Sequence, residues 1–325
     1  MKYFITGATG FLGGRIAKIL LEKGDTVIVL ARNPAKAGEL RKLGATVIKG
    51  DITDKDSIRH AMNGADGVFH VAAWYKIGVK NKSIAKMINV DGTRNVLELM
   101  QELKIPKGVY TSTLAVNSDT GGKEVDENYE FKGKHISEYD RTKAEAHKIA
   151  KQFISRGLPL VILMPGLIYG PGGTSLSDES LRLYLKKKLP AIPSKSAYNW
   201  AHVDDVAQIH VTAMEKAKPG TVYIVGGPSH TLSEAFSIAN EITGIRKPVT
   251  IPYQLLKFSS YFVQVLEKFI TLPPLYSSET MRVQAGVTYL GNNNKAKKEL
   301  NYTPRNLKEG LKETFNFELT KFNIK

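Results

Sequence analysis

The sequence predicts an α/β protein, a doubly wound parallel sheet with a smaller, mostly helical C-terminal lobe, on three observations. A glycine-rich turn links the first apolar run to a helical pattern, short apolar runs then alternate with helical periodicity, and the alternation weakens after Pro165. The first strand, at 2–6, passes into Thr6-Gly7-Ala8-Thr9-Gly10-Phe11-Leu12-Gly13-Gly14, beyond which Ile16, Ile19 and Leu20 recur at helical spacing. Further strands are expected near 26–31, 45–49, 67–71, 107–112 and 159–164, each an apolar run of the kind that a parallel sheet buries on both faces. Residues 83–103 and 137–155 read as helices between them. Past 165 we expect a glycine loop at 166–173, a helix near 177–188, one more strand at 221–225, and from Thr231 a mostly helical remainder with an irregular tail. Residues 1–165 with about 201–228 would then form the sheet-bearing domain, and about 166–200 with 229–325 the lobe.

The turn carries the first chemistry. Strand, glycine turn and helix in that order suit a dinucleotide: Gly7 permits the tight turn, Gly10 lets backbone approach a pyrophosphate, and Gly13 lets the helix pack close to the strand. Thr9, Phe11 and Leu12 share this turn and are candidate cofactor contacts. The second strand ends at Ala31-Arg32-Asn33, where a carboxylate would accept from the ribose hydroxyls of NAD(H). Arg32 stands there instead, with Lys36 close behind, so NADP(H) is the expected cofactor; NAD(H), with Arg32 stacked on adenine, is the alternative.

Composition excludes several classes. The 325 residues are 42% hydrophobic and 24% charged, as in an ordinary globular protein. With no cysteine, the chain has no disulfide, thiol catalysis, iron–sulfur cluster or cysteine-ligated zinc. Lys plus Arg is 46 against 31 for Asp plus Glu, a net charge of +15, but no basic stripe interleaved with aromatics suggests nucleic-acid binding. The surplus is compatible with peripheral contact with an anionic membrane, while no apolar run is long enough to span one. Met1 lies almost on the first strand, without a basic-then-apolar leader, so a cytoplasmic location is expected.

Tyr139-Asp140-Arg141-Thr142-Lys143 sets a phenol and an ammonium four residues apart, on one face of a helix. A cation beside a phenol favours phenolate and makes it a usable acid/base at neutral pH. Thr113, just past the fifth strand, offers a hydroxyl to hold a carbonyl or carbinol oxygen beside that phenol.

Together these features resemble the extended short-chain dehydrogenase/reductases, which have a Rossmann fold. The similarity runs through the glycine turn, Gly50-Asp51, Phe69-His70-Val71-Ala72-Ala73, Asn89-Val90-Asp91-Gly92-Thr93, Thr113, Tyr139 with Lys143, Pro165, Tyr169-Gly170-Pro171-Gly172 and His202-Val203-Asp204-Asp205-Val206. The resemblance implies that Tyr139 is the catalytic acid/base, that Lys143 lowers its pKa and bonds the nicotinamide ribose, and that Thr113 orients the substrate oxygen. It also implies that Asp51 meets the adenine, that Ile52, Ala72, Ala73 and Pro165 line the cofactor cleft, and that Asn89 has a supporting hydrogen-bond role. His202, Asp204 and Asp205 look structural, and no metal is expected. A homodimer through the helices carrying Met87 to Leu99 and Tyr139 to Ala150 is a further implication.

Within that family Glu138-Tyr139-Asp140-Arg141-Thr142-Lys143, residues 242–248 and residues 300–311 are similar to the dihydroflavonol-reductase-like and farnesol-dehydrogenase-like branch. Nucleotide-sugar enzymes place an Asn where this chain has Leu167, and an apolar side chain cannot hydrogen-bond a pyrophosphate or uridine. Trp74, Tyr75, Leu114 and Leu167 are therefore candidate substrate contacts in an apolar pocket. The aromatic-rich segment 253–276 reads as a lid, a dimer contact, a membrane-surface helix or core packing. The expected reaction interconverts a carbonyl and an alcohol on a small apolar or aromatic substrate. Alternatives are a sugar epimerase or dehydratase with tightly bound cofactor, and a cofactor-sensing protein that has lost its chemistry.

Overall fold

Burial of the predicted apolar runs builds strands β1 (Lys2–Thr6), β2 (Thr26–Ala31), β4 (Gly67–His70), β5 (Gly108–Thr111) and β6 (Leu160–Pro165), whereas β3 (Thr46–Lys49) is an edge strand with no fully buried residue, because it has a neighbour on one side only. The second half of the chain adds β7 (Leu167–Tyr169), β8 (Ala191–Pro193), β9 (Ala197–His202), β10 (Val222–Val225), β11 (Ser229–Thr231), β12 (Val249–Ile251) and β13 (Thr288–Tyr289). This computed structural model describes residues 1–79, 81–270, 272–273 and 276–322. The main sheet has seven parallel strands in the order β10-β6-β5-β4-β1-β2-β3. The chain runs outward from β1 to β3 and then crosses back to β4, so the strand order reverses between β1 and β4. A ligand crevice is expected at the carboxyl ends of those two strands.

Alternate residues of each strand feed opposite cores. Ile5, Val27, Val29 and Val161 pack with Ile16 and Leu20 of helix Phe11–Glu22 and Val206 of helix Val203–Lys216. Phe4, Ile28, Leu30 and Ile162 pack on the other face, with Val96 of helix Thr93–Glu102 and with Ile149 and Phe153 of helix Glu138–Ser155. These last two helices turn their apolar residues into the chain's own core and leave charged residues such as Arg94 and Lys148 outside. Their amphipathic pattern is thus accounted for within one chain and argues nothing about a dimer.

The lobe departs from expectation in three ways. It is not helix and loop alone: β9 is the centre of a four-stranded sheet, paired with β7, β11 and β13, and β8 pairs with β12. The tail is not irregular: helix Leu307–Phe322 buries Leu307, Leu311 and Phe315 against Tyr184 and Phe236 in the lobe core. Core packing of segment 253–276 is also corrected, because helix Tyr253–Leu266 buries only Ser260 fully. Thr271, Pro274 and Leu275 of that segment lie outside the described residues. The predicted helix at 83–103 forms, but Met87–Gly92 takes a π-helical turn within it.

Candidate active site

The glycine turn is shaped by close approach. Gly7 has φ +78° and a Cβ there would stand 2.6 Å from the Ala72 nitrogen, while one at Gly13 would stand 2.4 Å from the Gly7 carbonyl oxygen. Both positions need glycine for space, and Gly7 for backbone conformation as well. Helix Phe11–Glu22 starts at Gly10 with no side-chain cap and no acidic residue in its first turn, leaving its leading N–H groups to an anion. Arg32 is exposed at the end of β2 with no ion-pair partner among the described residues. The Asp51 carboxylate accepts from Thr53 N and Oγ1, both at 2.9 Å, which fixes the loop after β3 that also carries Ile52. The donors, the missing Cβ atoms and the free cation together fit a dinucleotide phosphate.

One cavity of about 590 Å³ runs from this groove into the lobe. Of the predicted residues, Gly7, Thr9, Gly10, Phe11, Leu12 and Gly13, Arg32, Asp51 and Ile52, Ala72, Ala73, Trp74 and Tyr75, Thr113 and Leu114, and Tyr139, Lys143, Pro165 and Leu167 line it, whereas Asn89 and the exposed Lys36 do not. At the lobe end the walls are largely apolar, with Ile192, Pro193, Phe236 and Val283, joined by Tyr198 and Tyr289. Tyr75, half exposed, bonds Thr174 at 3.0 Å and so links the loop after β4 to the lobe across the cleft. A second cleft, about 670 Å³ and rich in asparagine, is lined by none of these groups.

Ser137 caps helix Glu138–Ser155 and fixes where Tyr139 and Lys143 point. Burial pushes the Tyr139 phenol up to about 12; a hydrogen bond with Thr113 works against that, and the Asp140 charge adds to it. Lys143 is also buried, and desolvation draws it down to about 7. Its ammonium donates to the Thr111 carbonyl at 2.8 Å and to the Tyr110 hydroxyl at 3.2 Å. Tyr139 and Lys143 line the same cavity from one helix, and the ammonium is held by Tyr110 and Thr111.

Several supporting residues were legible only in part. Asn89, carried by the π-helical turn, accepts from Trp74 N at 2.7 Å and donates to Trp74 O at 2.9 Å and Thr142 Oγ1 at 3.0 Å, tying the pocket loop to helix Glu138–Ser155. His70 bridges Thr6 at 2.8 Å and Thr93 at 3.0 Å; burial, with Lys143 nearby, draws it down to about 3, so it is neutral at pH 7. Asp140 was missed. It accepts from Ser137 Oγ at 2.7 Å and Tyr289 OH at 2.9 Å, and burial raises it to about 7. Its position beside Tyr139 was the one available signal, since Tyr289 lies far along the chain. Arg305 binds both oxygens of Asp205, at 2.8 to 3.1 Å, fastening the start of the C-terminal helix to helix Val203–Lys216. His202, Asp204 and Glu313 approach one another, but Arg15 and Arg305 already neutralise the two carboxylates.

A family model described as the NAD dependent epimerase/dehydratase family matches residues 3–226. The chain is 32% identical over 262 residues to a putative dihydroflavonol 4-reductase of Synechocystis sp., covering 78% of this chain and 76% of that one. It is 27% identical to a 4-hydroxy-2-methyl-3-oxo-4-farnesyl-3,4-dihydroquinoline-1-oxide ketoreductase of Stigmatella aurantiaca, over 94% of this chain and 92% of that one. Among solved structures, gox2253 superposes with TM-score 0.84 at 27% identity, covering 99% of both chains. The UDP-glucose 4-epimerase of Thermotoga maritima, at 22% identity and TM-score 0.79 over 99% of this chain and all of that one, shares the fold.

Proposed function

Because the chain belongs to the NAD dependent epimerase/dehydratase family, within the extended short-chain dehydrogenase/reductases, we propose that it reduces a carbonyl, or oxidises the corresponding alcohol, on an apolar or aromatic substrate. The observation that carries this reading is the single cavity in which Thr113 and Tyr139 stand between the glycine turn and an apolar wall containing Leu114 and Leu167. A wall of that kind suits a hydrocarbon substrate. Curated relatives in the ketoreductase and dihydroflavonol-reductase groups fit the same assignment.

In this reading residues 1–165 with about 201–228 bind the dinucleotide, and 166–200 with 229–325 bind the substrate. Gly7 to Gly13 and the helix that follows hold the pyrophosphate, Asp51 and Ile52 hold the adenine end, and Ala72, Ala73 and Pro165 line the nicotinamide end. Arg32 pairs with a 2′-phosphate, giving NADP(H) preference over NAD(H). Bound there, the cofactor supplies or accepts a hydride. Thr113 donates to the substrate oxygen, and Tyr139 transfers a proton to that oxygen as the carbonyl carbon gains hydride, so that C=O becomes CH–OH; oxidation reverses both transfers. Lys143 binds the ribose, and its charge stabilises the phenolate left on Tyr139. The family resemblance adds a homodimer, which light scattering checks.

Absorbance of NADPH and NADH is followed with farnesal, aromatic ketones and dihydroflavonols, and nucleotide sugars are assayed separately for epimerisation. Net oxidation of NADPH by an apolar carbonyl supports the proposal. Epimerisation of a sugar with no net oxidation overturns it. Tyr139→Phe should abolish turnover while retaining cofactor binding; retained activity removes Tyr139 from its role.

A further inference from the structure

The largest departure from ordinary burial lies outside the cavity. Leu255, Phe258, Phe262, Val265 and Phe269 recur at alternating spacings of three and four, which lines them along one face of helix Tyr253–Leu266 and the turn continuing it. That face is bare: Phe258 is 77%, Phe262 71% and Phe269 79% exposed, and Tyr261 beside them 57%. No element among the described residues covers it. The opposite face packs on helix Ser278–Gln284, whose Val283 and Gln284 line the cavity, so the exposed stripe lies one helix away from the pocket. No helix among the described residues is long and apolar enough to cross a membrane.

The charges beside the stripe have one sign. Between residues 249 and 276 the charged residues are Lys257, Glu267 and Lys268. Glu267 is turned inward, accepting from Ser278 N at 2.9 Å and Ser278 Oγ at 2.7 Å. Lys195 lies over the Tyr253 ring at 5.4 Å, adding another cation at the start of the helix. We propose that this face seats the chain on an anionic lipid bilayer, with the phenylalanines in the acyl region and the lysines at the headgroups. A second copy is a poorer occupant. Pairing would bring together two chains that each carry a net charge of +15. Aromatic and branched apolar residues flanked by lysine are what an interfacial helix lying in the plane of a membrane requires. This inference concerns binding alone and stands apart from the proposed reaction.

The test is flotation of the full chain with vesicles of phosphatidylcholine, alone or mixed with phosphatidylglycerol, at low and high salt. Binding should require phosphatidylglycerol and weaken with salt. Phe258→Ser combined with Phe262→Ser should lower binding at least roughly tenfold, and Lys257→Gln or Lys268→Gln roughly fivefold each. Both phenylalanines are exposed, so the double variant should melt and bind nucleotide as the parent does. The proposal is overturned if the parent does not float, or if the double variant floats equally well. It is also overturned if light scattering finds a dimer that the double variant dissociates, for the stripe is then an interface between copies.

Discussion

The Lys143 ammonium lies 4.8 Å from the centroid of the Tyr110 ring and donates to that ring's hydroxyl at 3.2 Å. Tyr110 thus offers the buried Lys143 both a π face and an acceptor. The hydroxyl favours the charged form of Lys143, while burial opposes it and draws the ammonium down to about 7. Tyr110→Phe keeps the π face and removes the acceptor, so the Lys143 pKa should fall further. In the proposed reaction the alkaline limb of kcat/KM, which reports the free enzyme, should move to lower pH, with a three- to tenfold loss of rate at pH 7, corresponding to about 1 kcal/mol. A pH profile identical to the parent's would rule out this positioning role.

Asp140 gives a second pH dependence, in stability. Its carboxyl is raised from 3.8 to about 7, chiefly by burial, so between those values the folded chain holds a proton that the unfolded chain has lost. Asp140 therefore favours folding at low pH, and its contribution declines as pH rises from about 4 to about 7. His70 acts in the opposite sense, since its pKa is lowered in the fold and stability falls as pH drops below 6.5. Comparing Asp140→Asn with the parent cancels the histidine contribution. The melting temperature of the variant minus that of the parent should rise between pH 4 and pH 7 and level off above. A flat difference would mean that Asp140 does not titrate in this range.

What was legible in the sequence followed from local rules. β1, β2, β4, β5 and β6 hold short buried apolar runs, and Gly7, Gly13, Tyr139 and Lys143 sit at spacings with a direct geometric meaning. β9 was not legible because its alternation is broken by Asn199 and His202, both buried; Asn199 bonds Gly227 O and Gly291 N. The Asp140–Tyr289 bond joins residues 149 apart, and no periodicity encodes such a meeting. Helix Tyr253–Leu266 misled in another way: its composition suits a core as well as a surface, and only the packing reveals which face is left uncovered.

Gly7 tests the cradle without touching a catalytic group. An alanine there must hold φ near +78° with its Cβ 2.6 Å from the Ala72 nitrogen, a backbone atom that cannot swing aside. The left-handed conformation costs about 1–2 kcal/mol and overpacking about 1–3 kcal/mol. Gly7→Ala should melt measurably lower than the parent and lose nucleotide affinity. Gly24 provides the control: it has φ +82° with nothing near its missing Cβ, so Gly24→Ala should show the smaller, conformational part alone and bind nucleotide normally. Equal effects at the two positions would mean that close approach to Ala72 is not what requires glycine at position 7.

Arg32 decides the cofactor question. Its guanidinium is exposed at the end of β2, lines the cavity, and has no ion pair among the described residues to divert it from a ligand. A 2′-phosphate adds a dianion at that strand end, and charge-assisted bonds to it are worth about 1.5–3 kcal/mol, or roughly 10- to 150-fold in affinity. NADPH should therefore bind the parent more tightly than NADH. Arg32→Ala should reduce NADPH affinity by that factor while changing NADH affinity little, because NADH has no group for the missing charge to meet. Arg32→Asp should go further and reverse the preference, by repelling the phosphate and accepting from the ribose hydroxyls. Equal losses for both nucleotides in Arg32→Ala would instead assign Arg32 to the adenine ring, which both carry, and NAD(H) would then be as good a cofactor as NADP(H).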